Sequence, residues 1–551
     1  MKIFATRRKV EPRTPDEARV VYNNKIERLR KSEYPMLEGI TYLDHGGTTV
    51  ASKSMLTTFS TRMQATLLAN PHSDASRPSE STKLVDRVRN DVLNMFSADP
   101  EHFDVIFTSN TTGAIKLVVE CFSGHEGGFD YYYHRNAHTS LVGIRELARQ
   151  SHCLASNEET EKWLSSPDPA SNPTACQRPT LFAYPAQSNM NGERLPLDWP
   201  KKLRYAPHHS QTYTLLDAAA LVVTRPLDLG NPAAAPDFVA FSFYKIFGFP
   251  DLGALLVRKE SAHVLEKRKY FGGGTTDMIT CLEEKPWVAR KQNSIHARLE
   301  DGTIPIRSIL ALFCAMNSHK QIFGTMIDIS KHTAWLSTCL YKGLRTLRHG
   351  NGVPVCHIFQ TPGSDYGDPD TQGATIALNM RKSDGSWWSV HKVGNMLRDG
   401  NILVRAGSLC NPAGMACALD ISATSLRRAY NDGFRCNSAE DIQNDGTVFG
   451  MIRLTLGPMS TMRDVNVLLA FIEKNIVERV FHSRVDSHTC IARTIGVTTG
   501  SPLPPLMRNS HSGDYNDASW HATWRYEVFS KLQQCCRNPR TQSASQISRI
   551  S

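Results

Sequence analysis

Asp237-Phe-Val-Ala-Phe-Ser-Phe-Tyr-Lys-Ile-Phe-Gly-Phe-Pro250 is an apolar, aromatic run in which Lys245 is almost the only charge. A short run of this kind, closed by glycine and proline, reads as a buried strand and a turn. An ammonium buried there is costly unless it is paired or neutralised. Upstream, Thr214-Leu-Leu-Asp-Ala-Ala-Ala220 is another apolar stretch, and it puts Asp217 at a strand end. Residues 103–108, 131–133, 180–184, 213–216, 238–243 and 254–257 all read as strands. Helical patterns alternate with them at 80–96, 112–121 and 141–149; in the first, Leu84, Val85, Val88, Val92, Leu93 and Phe96 share a face. Apolar strands alternating with helices predict an α/β fold whose mostly parallel sheet is covered on both faces. Ligands of such sheets bind beyond the carboxyl ends of the strands, where Lys245 and Asp217 fall.

A lysine condensed with an aldehyde escapes the cost of a buried charge. A lysine and an aspartate, each ending a core strand, are what pyridoxal phosphate (PLP) requires: one for its aldehyde, one for its pyridinium nitrogen. Read alone, Lys245 equally suits an edge lysine with a packed stem and a wet head, and Asp217 a helix N-cap. Thr111 and Thr112 fall where Phe107-Thr-Ser-Asn-Thr-Thr-Gly-Ala-Ile115 passes from strand to helix. Free N–H groups and the helix dipole attract anions there. Ser242, three residues before Lys245, would add a hydroxyl to the same phosphate.

The chain has 551 residues, 40% hydrophobic and 21% charged, an ordinary globular balance. Its net charge of +10 invites a nucleic-acid reading, but the excess sits at the ends. Residues 1–31 carry ten basic and four acidic residues (+6), and 476–551 carry nine and five (+4), so the middle is neutral. A nucleic-acid domain would carry a basic stripe on its folded part. No apolar run approaches the ~18 residues of a membrane span. The N-terminus lacks the apolar segment of a secretory signal, which makes the cytoplasm the default location. The thirteen cysteines form no Cys-x-x-Cys pair, so no metal ribbon is expected.

Four regions follow. Residues 1–50 are expected to join the small domain, 51–310 to form the large PLP-binding domain, and 311–475 a small C-terminal α+β domain. Residues 476–551, rich in Ser, Thr, His and Arg, read as a largely disordered tail. Residues 154–178 read as a polar surface insertion.

Several segments are more specific than periodicity. They are Tyr42-Leu-Asp-His-Gly-Gly-Thr-Thr49, Asn70-Pro-His-Ser73, His138-Thr-Ser-Leu-Val-Gly143, Tyr184-Pro-Ala-Gln-Ser-Asn-Met-Asn-Gly192, Tyr270-Phe-Gly-Gly-Gly-Thr275, Leu299-Glu-Asp-Gly-Thr-Ile304 and Cys410-Asn-Pro412, in that order beside the Asp217 and Lys245 stretches. Over about 40–470 the chain resembles class V, fold type I PLP-dependent transferases of the cysteine desulfurase group. It is most similar to the N-terminal domain of the molybdenum cofactor sulfurases. The resemblance implies that Lys245 holds the cofactor, Asp217 its ring nitrogen, His138 its ring face and Asn189 its phenolic oxygen. Thr111, Thr112 and Ser242 would bind its phosphate, and Thr303 the phosphate of a second subunit in a homodimer. Arg453, in Met451-Ile-Arg-Leu-Thr-Leu-Gly457, would clamp the substrate carboxylate. Cys410 lies in the glycine- and proline-punctuated Val404-Arg-Ala-Gly-Ser-Leu-Cys-Asn-Pro-Ala-Gly414. It would take sulfur from L-cysteine as a persulfide, with Arg405 nearby favouring its thiolate.

There are departures from the family pattern. Ser408 replaces a second cysteine, the segment after Cys410 is stretched, Tyr244 stands where simpler desulfurases carry histidine, and Ala220 replaces a glutamine. Roughly 75 residues follow position 475, fewer than the ~100 of a typical further domain. The expected activity is therefore sulfur abstraction from L-cysteine, giving alanine and a Cys410 persulfide. The acceptor would lie elsewhere, with molybdenum cofactor on a separate protein as one candidate. A PLP-dependent lyase or aminotransferase-like activity on another amino acid is the alternative, and a degenerate scaffold a distant third. No nucleic acid, membrane or metal is expected.

Overall fold

Alternate residues of each central strand enter two different apolar cores, which is the signature of a sheet buried on both faces. The computed structural model describes residues 15–71, 79–166, 178–282, 285–436, 441–442 and 446–479. Phe182, Tyr184, Leu216, Val239, Phe241 and Leu256 face one core; Leu181, Ala183, Leu215, Ala240 and Leu255 face the other. Helices Glu80–Met95 and Ile306–Phe323 contribute to the first core, and Thr111–Phe122 to the second.

Seven strands lie in the spatial order Phe103–Thr108, Gly253–Arg258, Phe238–Ser242, Thr212–Asp217, Thr180–Pro185, Asp130–His134, Gln150–Leu154. Gly253–Arg258 is antiparallel to both its neighbours, and every other adjacent pair is parallel. The expected α/β sheet is there, and with it the carboxyl strand ends that hold Asp217 and Ser242.

A second, antiparallel sheet orders Cys356–Ile358, Thr375–Met380, Met451–Thr455 and Arg405–Gly407. Helices Met326–Thr346, Val390–Asp399 and Met462–Asn475 bury Leu340, Leu397 and Leu468 in its separate core. The N-terminal strand Thr41–Tyr42 pairs in parallel with Ile402–Leu403, and Asp44 bridges to Thr455, so residues 41–44 are bound to this smaller layer.

Two local readings differ from expectation. Residues 141–149 are not one helix: Thr139–Val142 is a single turn, Gly143–Glu146 a 3-10 turn, and strand Gln150–Leu154 follows. That strand is a sheet edge whose first four residues are exposed, so it carries no apolar alternation to read. The supposed insertion contains helix Asn157–Ser165, N-capped by Ser156, whose hydroxyl accepts from Glu159 N at 3.1 Å. It buries Thr160 and Leu164 and stacks Trp163 on Tyr132 at 4.4 Å. Residues 167–177 of that segment and the tail from 480 lie outside the described residues, as do His72 and Ser73.

Candidate active site

Strand Phe238–Ser242 runs straight into the short helix Phe243–Phe247, which carries Lys245. Gly248 ends that helix at φ +80, where a Cβ would overlap the backbone nitrogen of Ala51. The turn can therefore close only with glycine, packed directly against the backbone of residues 50–51. Beside it, strand Thr212–Asp217 ends in a buried carboxylate whose Oδ1 accepts from Ala219 N at 3.0 Å. Both side chains line one cavity of about 220 Å³. Of the eleven residues given a role from sequence, Arg405 included, ten line it; Thr303 does not.

Lys245 makes no hydrogen bond among the described residues. Surrounding protein pushes its pKa below the ordinary 10.5 by desolvation; Asp217 opposes the shift and Arg453 adds to it. His138 is held below its ordinary value by burial too, against the pull of Asp217 and with Lys245, Arg453 and Arg405 adding to it. Its Nδ1 accepts from Ser140 N at 3.1 Å, so the neutral ring carries its proton on Nε2.

One end of the cavity is built for an anion. Asn110 caps helix Thr111–Phe122, accepting from Gly113 N at 3.0 Å. Ser242 Oγ accepts from Thr111 N at 2.8 Å and lies 2.6 Å from Thr111 Oγ1. Thr112 Oγ1 lies 2.8 Å from Ser140 Oγ. Hydroxyls ringed about a helix N-terminus suit a phosphate. The other walls carry the acid Asp217, the neutral His138 ring and the small Ala219. An amine with no hydrogen bond, an anion cradle and a carboxylate around one narrow cavity fit PLP.

The smaller layer closes the cavity. Arg453 lies on an inner strand and is 5% exposed. Its Nη2 donates to Asp44 at 2.8 Å and its Nη1 to the Asn189 carbonyl at 3.0 Å. Its Nε is buried without a partner among the described residues. Asn189, expected to serve a cofactor oxygen, also donates through Nδ2 to the Leu409 carbonyl at 2.7 Å. One Nδ2 hydrogen remains for the cavity. Cys410 lines the same space in a left-handed conformation (φ +54), directly after Leu409 at φ +55.

Asp44, given no role from sequence, belongs here, and so does Arg405, expected from sequence only to favour the Cys410 thiolate. Asp44 orients Arg453 from 409 positions away, and nothing local marks it. Arg405 lines the cavity and stands directly opposite Arg453 across the strand pair; its neighbourhood to Cys410 was the one available signal. Thr303 lies instead on an adjacent open depression of about 1070 Å³ that shares Thr112 and Ser140 with the cavity wall.

The aminotransferase class-V family model matches residues 41–468. Molybdenum cofactor sulfurase of Aspergillus niger is 47% identical over 466 residues, covering 84% of this chain and 56% of that protein. The Chaetomium globosum protein of the same name is 47% identical over 464 residues, covering 84% and 59%. The chain thus spans a little over half the length of these curated relatives. The apo structure of cysteine desulfurase from Thermococcus onnurineus NA1 superposes with a TM-score of 0.61 at 18% identity, covering 81% of this chain and 97% of that one. A cysteine desulfurase of Escherichia coli gives 0.58 at 17%, covering 82% and 98%. At such identities the likeness is one of fold: fold type I.

Proposed function

The chain belongs to the class-V aminotransferase family of PLP enzymes, and on that premise we propose that it abstracts sulfur from L-cysteine, releasing alanine and leaving a persulfide on Cys410. The observation that carries this reading is the convergence of Lys245, Asp217, His138 and Cys410 on one cavity. Bound there, PLP supplies an electron sink for charge developing at the substrate Cα.

The protein's own groups do the rest. Thr111, Thr112 and Ser242 would hold the phosphate at the helix N-terminus. Asp217 would keep a proton on the ring nitrogen, and His138, a neutral imidazole, would face the ring. Asn189 has one amide hydrogen left for the ring oxygen. Arg453, oriented by Asp44, takes the substrate carboxylate, with Arg405 beside it. Lys245, whose depressed pKa favours the free amine, moves the Cα proton. The Cys410 thiolate attacks the substrate sulfur: an S–S bond forms, the Cβ–S bond breaks, and its electron pair passes to carbon, which is protonated to give alanine.

The working unit in this proposal is a homodimer, with Thr303 of one subunit at the phosphate of the other. Its support is the position of Thr303 on the open depression beside the phosphate end. The persulfide passes to an acceptor elsewhere, with molybdenum cofactor as the candidate favoured by the relatives' names. A cytoplasmic location, which keeps thiols reduced, fits a mechanism that needs a free Cys410. The test is to incubate the PLP-loaded protein with L-cysteine, quantify alanine and map Cys410 by mass spectrometry. Alanine together with a sulfur adduct of one atom on Cys410 is the expected result; neither product overturns the reading.

A further inference from the structure

Two consecutive non-glycine residues in the left-handed region, Leu409 and Cys410, are an unfavourable piece of backbone that persists only where the surroundings impose it. Here they are imposed residue by residue. The Leu409 carbonyl accepts from Asn189 Nδ2, and the Leu409 side chain is buried among Met190, Met415 and Met451. The Cys410 carbonyl accepts from Thr139 N at 3.0 Å. Asn411 is wholly buried, and its carboxamide uses both ends. Nδ2 donates to the Asn136 carbonyl and to Asn189 Oδ1, both at 3.1 Å, while Oδ1 accepts from Gly414 N at 3.1 Å and so caps helix Pro412–Ala418. Asn136 is itself held, its Nδ2 donating at 2.8 Å to Glu193, a buried carboxylate that also accepts from Thr361 Oγ1 at 2.8 Å. Gly414 is part of the fit: a Cβ there would stand 2.5 Å from Asn411 Oδ1 and 3.1 Å from Asn136 Oδ1.

We propose that Asn411 is the positioning residue of the sulfur-abstracting step, fixing Cys410 at the cavity before any substrate enters. The inference rests on the desulfurase reading above. It adds that the thiol is preorganised by a clamp running from Glu193 through Asn136 and Asn411 to Asn189. It follows that an acceptor must come to Cys410 at the cavity, because a loop held at three successive residues does not carry its thiol away.

The test uses the PLP-loaded protein and Asn411→Ser. Serine still caps a helix N-terminus but gives up both amide donations. Two rates are compared: exchange of the L-cysteine Cα hydrogen in deuterated water, which needs Lys245 and not Cys410, and formation of alanine. The expected result is unchanged cofactor absorbance and exchange, with alanine and Cys410 persulfide reduced roughly 10- to 100-fold, the scale of a misplaced reacting group. Gly414→Ala, which pushes on the carboxamide without removing it, should give the same split. Alanine formation at the parental rate in Asn411→Ser overturns the clamp, as does a parallel loss of exchange and alanine in both variants. If the unsubstituted protein exchanges the Cα hydrogen but makes no alanine, the desulfurase reading itself falls, and the clamp with it.

Discussion

Asp44→Asn tests the second arginine contact at the cavity. The Arg453 guanidinium is almost fully buried, and of its donors Nη1 reaches one backbone carbonyl, Nη2 reaches Asp44 and Nε reaches nothing among the described residues. Breaking a fully buried pair costs about 3–5 kcal/mol. The Asp44 side chain is 24% exposed, and asparagine keeps an acceptor oxygen, so about 1–3 kcal/mol is the expected loss. Unfolding entropy of about 2.1 cal/mol/K per residue, summed over roughly 440 described residues, is ~1 kcal/mol/K. The melting temperature should therefore fall by only about 1–3 °C. The functional effect should be larger in proportion. A guanidinium no longer held by a charged partner presents its fork to the substrate carboxylate less well, and a loss of ~1.4 kcal/mol raises KM for L-cysteine about tenfold. Scanning fluorimetry and alanine-release kinetics measure the two together. Unchanged KM with unchanged melting refutes the pair's role. A lower KM would show that Asp44 competes with the substrate for Arg453 instead of orienting it.

Four further outcomes follow from the same geometry. Only a neutral amine attacks an aldehyde, so the rate of PLP capture by the cofactor-free protein should rise with pH and level off below 10.5, the ordinary lysine value; a midpoint at or above it contradicts the desolvated setting of Lys245. Cys410→Ser should keep cofactor absorbance and Cα hydrogen exchange yet lose persulfide in mass spectra; alanine accompanied by free sulfide would assign the chemistry to an elimination instead. Asp217→Asn should lower kcat about 100-fold, ~2.7 kcal/mol of transition-state stabilisation, and a steady-state kcat equal to the parent's removes the ring pairing. Gly248→Ala, strained by its φ of +80 and overlapping Ala51, should destabilise by more than ~2 kcal/mol, read as a lowered urea midpoint; no change would mean the 50–51 strand of chain gives way freely.

Two site residues are legible from physical pattern alone, because each is polar where its neighbours are apolar; the roles of His138, Asn189, Arg453 and Cys410 come from the family resemblance. Asp217 and Lys245 stand out because strands buried on both faces leave almost no other charge nearby, and strand ends are where an α/β sheet presents groups to a ligand. Thr111 and Thr112 are visible for a different reason: a strand-to-helix passage announces its free N–H groups. Strand Gln150–Leu154 and helix Asn157–Ser165 are hidden because an exposed edge and a small packed face leave too little apolar pattern to read.

What the sequence hides at the site is pairing. Asp44 is a carboxylate among glycines and threonines, and its meaning comes only when residues 41–44 join the sheet that carries Arg453. Asn189 is assigned to the cavity by its motif, yet most of its amide is spent on Leu409 and Asn411. The same fact explains why a loop with an irregular spacing after Cys410 still delivers that cysteine to the cavity. The stretch is absorbed downstream, in the helix that Asn411 caps, while the three residues at 409–411 are held by partners from the large sheet's loops. Motif spacing constrains the chain only up to its fixed points, and here the held residues 409–411 lie before the departure.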